Sequence, residues 1–203
     1  DRRTWGKRTM TEVLEKSINT GAVFAEQQLG SELFLKYLEK FGFFTKTDIE
    51  LQGEVFSQNK EFKKGYEINF ATAAFGQGIE ITPVQLIRAF SALANGGQLV
   101  KPHLIKKIID RNGQSQKISP EIPDNIISPR TSSQVVSIMT SVIENGFGKK
   151  AKIPGYFVAG KTGTAQIPLA GHYDPNKTVA SFIGFAPADK PKLKRTGMLP
   201  PLI

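Results

Sequence analysis

The sequence predicts an α+β fold in which helices come first along the chain and an antiparallel sheet follows. Up to residue 144, five segments have apolar residues and capping or stop signals arranged as in helices. Two apolar segments rich in β-branched residues come later, with a polar stretch between them. Helices followed by a run of strands are typical of α+β domains.

Three helices are predicted before residue 45. Their ranges are Thr9 to Lys16, Ala22 to Leu29 and Ser31 to Phe41. The run Ser17 to Gly21 separates the first helix from the second. Gly30 ends the second helix, Ser31 is a good N-cap for the third, and Gly42 ends the third. The stretch from Thr45 to Ala74 is polar and rich in turn residues, so we expect it to be irregular.

The rest of the chain contains two longer helices and the strands. A helix is predicted from Pro83 to Asn95, because Thr82 is a good N-cap and proline suits the first helical position. Leu99 to Asp110 is β-rich, and Asn112-Gly113 is a hairpin turn signal. The remaining predictions are a helix at Ser132 to Glu144, strands at Tyr156 to Gln166 and Thr178 to Phe185, and a loop around His172.

The composition excludes several kinds of chemistry. The 203 residues suffice for one domain with a core. Cysteine is absent, which rules out disulfides, thiolate catalysis and cysteine metal ligands. The two histidines, His103 and His172, have no ligand-like spacing, so we expect no metal and no cofactor. No signal peptide or membrane helix is apparent, and the chain is expected to be a piece of a longer polypeptide.

The charge is strongly basic but dispersed. The net charge is +9, from 27 lysines and arginines against 18 acidic residues. The basic residues form small groups that are not interleaved with aromatic residues, as a single-strand nucleic-acid binder would require. We therefore expect a solvated basic surface; attraction to lipid headgroups, wall polymer or nucleic acid is the alternative that charge leaves open.

The run from Gly155 to Thr162 fits the phosphate-loop pattern G-x-x-x-x-G-K-[ST] at every fixed position. A phosphate loop must present its N–H groups to phosphate and open a helix. Here the variable positions 156–159 are mostly bulky and fit a strand, and Gly163, Thr164 and Pro168 disfavour a following helix. We therefore favour a strand over a nucleotide-hydrolase site.

Four segments, in order, resemble the penicillin-binding proteins. Ser17-Ile18-Asn19 resembles their S-x-N box, and Lys161-Thr162-Gly163 resembles their K-T-G box. Stretches within Gly76 to Gly97 are similar to the helix between those boxes, and Phe182 to Ala188 is similar to the strand that backs the K-T-G strand. The match runs from Thr9 to Pro191, and class B monofunctional transpeptidases of the division or elongation type are the most similar group.

The resemblance implies the transpeptidase fold shared by penicillin-binding proteins and serine β-lactamases, and it implies acyl transfer. In this family a serine attacks the D-Ala-D-Ala carbonyl of a peptidoglycan stem peptide, and an amine of a neighbouring stem then takes the acyl group. β-Lactams acylate the same serine. The implied partners are stem peptide, β-lactams and, for the parent protein, a membrane glycosyltransferase and a division or elongation complex. No nucleic acid is implied, and the implied location is the outer face of the cytoplasmic membrane.

The resemblance also implies roles for individual residues. Ser17 would relay protons to the leaving amine, and Asn19 would orient the general-base lysine and bind a substrate amide. Lys161 would supply positive charge beside the substrate carboxylate and join the proton network. The substrate-binding residues would be Thr162, Gly163, Thr164, Ala165 and Gln166.

Within that binding edge the implied tasks differ. The hydroxyls of Thr162 and Thr164 would hold the carboxylate, and the N–H of Thr164 would be half of an oxyanion hole. Gly163 would let the ligand lie against the backbone. The strand edge at 161–165 can pair with an extended peptide.

Each assignment has a structural alternative. Ser17 and Asn19 could break one helix and cap the next. Lys161 could be an exposed strand lysine, and Gln166 a residue at the rim of the site. The loop from Phe75 to Gly78 is expected to pack under the site without a catalytic role.

The resemblance fails at the nucleophile. The family places an S-x-x-K motif before the S-x-N box, and only sixteen residues precede Ser17. The single S-x-x-K spacing, Ser57 to Lys60, lies in the polar segment and does not open an apolar helix. We therefore reject it as the nucleophile and expect the chain alone to be inactive.

The C-terminal end also departs from the family. Residues 1–191 are predicted to be a partial transpeptidase domain without the S-x-x-K segment, and residues 192–203 an atypical tail from a truncation or reading-frame change. The tail has three basic residues, a glycine and two consecutive prolines, which exclude a central strand. An incomplete sheet with open edges would be unstable and prone to association.

Three other functions stay open at this point. A β-lactamase or β-lactam sensor shares the fold and the boxes, a pseudoenzyme would lack catalysis, and a nucleotide hydrolase would use the phosphate-loop pattern. The 144 positions between Ser17 and Lys161 and the fit of Gln77 to Gly97 favour the transpeptidase.

Overall fold

The computed structural model describes residues 4–118, 125–169, 172–190 and 193–198. The helices are α1 Met10–Glu15, α2 Asn19–Leu29, α3 Ser31–Lys40, α4 Glu67–Ala73, α5 Pro83–Ala94 and α6 Pro129–Glu144. The strands are β1 Lys107–Ile109, β2 Ser115–Lys117, β3 Ala159–Leu169, β4 His172–Ala186 and β5 Leu193–Met198. The predicted α+β class is confirmed. No helix in the described ranges is long and apolar enough to cross a membrane.

Capping residues fix where the predicted helices begin. Thr9 and Glu12 form a reciprocal capping box at α1, and Thr82 and Gln85 form a second one at α5, which Pro83 opens. Helix α6 begins three residues before the predicted Ser132, because the Ser128 hydroxyl accepts the N–H of Thr131.

Helix α4 was missed from sequence, since it lies in the stretch predicted to be irregular. Its N-cap, Tyr66, makes no side-chain capping hydrogen bond. The helix instead buries Phe70 against Phe62 at a centroid distance of 5.2 Å, and Phe62 stacks on Phe44 at 5.9 Å. Tertiary packing therefore stabilises a segment whose local signals are weak.

The prediction that Leu99 to Asp110 is β-rich was mostly wrong. Only Lys107–Ile109 forms a strand there, and it pairs with β2 as an antiparallel hairpin. The Asn112-Gly113 turn is confirmed, with Gly113 at φ +79° and the Asp110 N–H bonded to the Gln114 carbonyl.

The larger sheet has the order β3-β4-β5 and is antiparallel throughout. Strand β3 is shifted from the predicted range, and Tyr156 and Phe157 precede it. His172, predicted to lie in a loop, is the first residue of β4. That prediction was wrong because β3 and β4 continue their pairing as far as Leu169 and His172, past an irregularity between Gln166 and Pro168.

Part of the tail also joins this sheet. Backbone pairing places β5 beside β4 at the edge of the described sheet, with Gly197 opposite Phe182. The sequence excluded a central strand here but predicted no edge strand. Strand pairing uses backbone groups and does not need apolar side chains. The two consecutive prolines lie outside the described residues.

Helix α6 packs on the sheet at one side and on α1 at its C-terminal end. Met139 packs with Ala159 of β3 and Phe185 of β4 in a buried cluster. At the end of α6, the Ser141 hydroxyl donates to the Glu15 carboxylate, and the Phe147 N–H donates to the Glu15 carbonyl at 2.9 Å. The turn after α1 is thereby held at a fixed place relative to β3.

Gly146 tests this docking of α1 on α6. A Cβ at Gly146 would lie 2.4 Å from the Glu15 carbonyl oxygen and 2.7 Å from the Glu15 Cα, which are backbone atoms that cannot move away alone. We expect Gly146→Ala to lower the free energy of unfolding by about 1–3 kcal/mol, as other overpacking changes do. Urea unfolding measures the loss.

The matched control is Ser137→Ala, an exposed position of the same helix, which should stay within about 0.5 kcal/mol of the parent chain. Equal midpoints for the two variants would show that α1 does not need this close approach.

Candidate active site

Ser17 lies in the turn between α1 and α2. Its φ is +50°, and its N–H donates to the Leu14 carbonyl at 3.2 Å. The next residue, Ile18, is buried and its N–H donates to the Val13 carbonyl at 2.9 Å. Because Ile18 is buried, this short turn holds the exposed Ser17 at a defined position.

A glycine in α2 lets α1 and α2 pack closely on either side of this turn. A Cβ at Gly21 would come within 2.5 Å of the Val13 side chain, so only glycine lets α2 approach α1 this closely. The glycine that sequence analysis placed at the end of the interrupting run is therefore inside α2 and serves helix packing.

The S-x-N residues do not act as helix caps. Ile18 is the N-cap of α2 and makes no side-chain capping hydrogen bond, while Asn19 is the first helical residue. The alternative that Ser17 or Asn19 caps the second helix is therefore wrong. Asn19 is exposed, and its amide makes no hydrogen bond to any described residue.

Lys161 meets Ser17 across the fold. Its Nζ donates to the Ser17 Oγ at 2.8 Å and to the Thr162 carbonyl at 2.8 Å, although 144 positions separate the first pair. Burial lowers the pKa of Lys161 from its ordinary value of 10.5. Lys161 is partly buried, so the alternative of an exposed strand lysine is wrong.

The edge of β3 beside Lys161 is open in the described sheet. A Cβ at Gly184 of β4 would lie 2.9 Å from the Ala159 carbonyl oxygen, so that carbonyl faces β4 and the Thr162 carbonyl, three residues further on, faces away from β4. In an antiparallel strand the N–H and C=O of one residue share a side, and alternate residues repeat that side. The N–H of Thr164 therefore also faces the open edge, and its side chain is exposed.

Gly163 has a packing reason for being glycine, in addition to the predicted contact with ligand. A Cβ there would lie 2.5 Å from the Ser181 Oγ of β4. A Cβ at the neighbouring Gly160 would lie 2.6 Å from the Phe182 ring. Both glycines keep β3 and β4 close together.

A cleft of about 880 Å³ lies beside the far part of β3. Its walls come from three segments, Phe56–Phe62, Gly76–Glu80 and Ala165–Ile167, with Tyr173 and Val179. Gln166 is exposed and lies in one wall of this cleft. Gly76-Gln77-Gly78, expected to be a structural loop under the site, forms part of one wall of this cleft.

Asn59 joins two of those walls and was missed from sequence. Its buried side chain donates to the Glu80 carbonyl at 2.9 Å and accepts the Glu80 N–H at 2.7 Å, which closes a bridge between two loops. Asn59 has φ +50°, a conformation that asparagine tolerates better than most residues. A single asparagine in a polar stretch gives no sequence signal for this contact.

The positions of two motifs in the fold test two other hypotheses made from the sequence. Gly160, Lys161 and Thr162 lie inside β3 and do not open a helix, so the nucleotide-hydrolase hypothesis is wrong. Ser57 to Lys60 lies in a loop, where the Ser57 Oγ accepts the Asn59 N–H at 3.1 Å. The S-x-x-K spacing therefore does not place this serine and lysine on one face of a helix.

The chain is similar to known proteins over most of its length. Residues 1–200 match the family model of the penicillin binding protein transpeptidase domain. Stage V sporulation protein D of Bacillus subtilis is 43% identical over 93% of this chain and 29% of its own length. A peptidoglycan D,D-transpeptidase FtsI homolog of Mesostigma viride is 30% identical over 90% of this chain and 34% of its own length.

Solved structures are also similar to this chain. Penicillin-binding protein 3 of Mycobacterium tuberculosis in complex with ampicillin superposes with a TM-score of 0.85 at 32% identity, over 94% of this chain and 44% of that one. A D,D-transpeptidase domain from Eggerthella lenta gives 0.78 at 28% identity, over 94% and 48%. The chain spans about a third of the length of the sequence relatives. A family match over nearly every residue shows that the chain belongs to the penicillin-binding protein transpeptidase domain family.

Proposed function

We propose that this chain forms the binding edge and part of the proton network of a serine-type D,D-transpeptidase, whose parent protein cross-links peptidoglycan stem peptides. The observation that carries the proposal is the hydrogen bond between Lys161 Nζ and Ser17 Oγ, next to an open strand edge. A lysine with a lowered pKa beside a hydroxyl is a proton-transfer pair, and the strand edge is where an extended peptide can bind.

The proton path runs through Ser17. When the acyl bond to the terminal D-alanine breaks, the leaving amine takes the Ser17 hydroxyl proton, and Ser17 recovers a proton from Lys161. The lowered pKa of Lys161 makes that donation easier than for an exposed lysine. Asn19, whose side chain makes no hydrogen bond to a described residue, would bind a substrate amide and orient the general-base lysine of the parent enzyme.

The binding edge supplies the other interactions. Lys161 and the hydroxyls of Thr162 and Thr164 attract the terminal carboxylate of stem peptide or β-lactam. The outward N–H of Thr164 serves as one oxyanion donor, worth about 3 kcal/mol to the transition state in comparable enzymes. Ala165 and Gln166 continue the edge into the cleft, which has room for the rest of a peptide.

The parent protein would act at the outer face of the cytoplasmic membrane, with a membrane glycosyltransferase and a division or elongation complex. Relatives named as peptidoglycan D,D-transpeptidase and sporulation protein support this assignment. The ampicillin complex of the mycobacterial relative supports β-lactam binding. The attacking serine would be supplied by a segment of the parent that this chain does not contain.

Labelling with a fluorescent penicillin tests the proposal. We expect the 203-residue chain alone to form no covalent adduct, because its single S-x-x-K spacing lies in a loop. A protein that joins the chain to a class B segment carrying S-x-x-K should be labelled, and Lys161→Met should abolish that labelling. In-gel fluorescence after denaturation measures the adduct.

Ser57→Ala is the matched control. Labelling of the chain alone that disappears in Ser57→Ala would make Ser57 the nucleophile and overturn the assignment. Labelling of the joined protein that survives Lys161→Met would remove Lys161 from the site.

The protonation of Lys161 gives a second prediction. Its folded pKa lies below 10.5, so between the two values the unfolded chain binds more protons and folding stability rises with pH. Ser17→Ala should lower the pKa further, because the hydroxyl oxygen accepts a hydrogen bond that favours the charged amine.

Carbon NMR of the lysine side chains, assigned with Lys161→Met, follows this titration. A Lys161 pKa at or above 10.5, or a rise in Ser17→Ala, would contradict the proposed pairing.

A further inference from the structure

The β1–β2 hairpin stands apart from the rest of the fold. Every residue of its two strands is exposed. Among the described elements, the substantial contacts of each strand are with the other strand. A two-stranded hairpin is marginally stable alone, and additional strands stabilise it.

The base of the hairpin is nevertheless fixed. The Ile126 N–H donates to the Gly97 carbonyl at 2.8 Å, and Gly97 approaches Ile127 so closely that a Cβ would lie 2.0 Å from its carbonyl oxygen. Just before β1, the Leu104 N–H donates to the Glu50 carboxylate at 2.9 Å. The hairpin therefore projects from an anchored base.

Strand β1 has an unpaired backbone edge. Asp110 N–H bonds the Gln114 carbonyl, and Ile118 N–H bonds the Lys106 carbonyl. Alternate residues of an antiparallel strand face its partner, so the N–H and C=O groups of Lys107 and Ile109 face outward. Such an edge is a template for another strand.

Large apolar side chains surround this edge. They are Leu104, Ile105, Ile108 and Ile109, with exposed fractions of 59%, 39%, 49% and 55%. Ile108 and Ile109 point to opposite faces of the strand, so both faces offer apolar contact.

The hairpin is also cationic. Residues 101–118 contain five lysines and arginines and one acidic residue. That residue, Asp110, accepts the N–H groups of Asn112 and Gln114 and is engaged in the turn. The ion pairs of the described chain involve none of these cations.

We propose that the β1 edge is a docking site for an extended protein segment in which pairs of acidic and pairs of apolar residues alternate, added as a third strand. Two consecutive acidic residues would lie opposite Lys106 and Lys107, and two consecutive apolar residues would lie opposite Ile108 and Ile109, so each face of the added strand would match one lysine and one isoleucine. A second copy of the chain would bring two cationic hairpins together, which charge opposes. Residues 101–118 contain no Phe, Tyr or Trp for nucleic-acid stacking, and an anionic lipid surface would not use a strand edge.

This surface is separate from the binding edge of β3. None of the residues that line the cleft beside β3 belongs to the hairpin. Binding there can therefore be measured independently of penicillin labelling.

The test uses the 203-residue chain and a fluorescein-labelled peptide that repeats Glu-Glu-Val-Val, and binding is followed by fluorescence anisotropy. Ile109→Pro removes an outward N–H without removing a hydrogen bond of the hairpin, and we expect binding to weaken about tenfold. Ser115→Pro makes the same change on the β2 edge and should leave affinity within about twofold. Lys107→Glu should weaken binding, whereas Lys150→Glu should not.

Equal weakening by the two prolines would overturn the proposal, and so would equal binding of a peptide that repeats Lys-Lys-Val-Val. A further result would also overturn the proposal: the chain binds phosphatidylglycerol vesicles, Ile109→Pro leaves that binding unchanged, and the peptide does not bind. Charge alone would then explain the surface. If Ile109→Pro disrupts the cross-strand NMR contacts of the hairpin, the Lys107→Glu and Lys150→Glu pair decides the outcome.

Discussion

Helix α6 contacts β3 and β4 along its buried face and α1 at its C-terminal end, and the candidate site depends on both contacts. Met139, Ala159 and Phe185 form the first contact, and the groups around Glu15 form the second. Ser17 follows α1 directly, whereas Lys161 lies on β3. The 2.8 Å hydrogen bond between them is therefore set by how one helix packs against two distant parts of the chain.

The main electrostatic feature of the site is a lysine that is partly buried and has no carboxylate partner among the described residues. Its Nζ is held by a hydroxyl and a carbonyl oxygen, which are neutral acceptors. Because burial disfavours the charged form and no anion offsets it, the pKa falls. An anionic substrate carboxylate would supply the missing charge, which makes the same feature useful for binding and for proton transfer.

Glycines at close contacts build the site, and the motif assigns only one of them, Gly163, to ligand contact. Gly21, Gly146 and Gly163 each lie against another element at a distance that a Cβ would violate. Two of them hold the turn that carries Ser17, and the third holds β3 against β4. The geometry of the site is therefore built by close backbone approach as much as by the polar residues that it displays.

The sequence by itself determined the α+β class, the helices with strong caps and the Asn112-Gly113 turn, because these depend on local periodicity and on capping and turn chemistry. The S-x-N and K-T-G boxes and their order came from the resemblance to the penicillin-binding proteins. Only the tertiary structure decided that Lys161 meets Ser17, that α4 forms, that Gly76 to Gly78 lines the cleft and that Asn59 ties two loops together. Those features rest on contacts between residues far apart in sequence, for which local propensity carries no information. The same limit explains why the pairing beyond Gln166 and the edge strand β5 were not predicted.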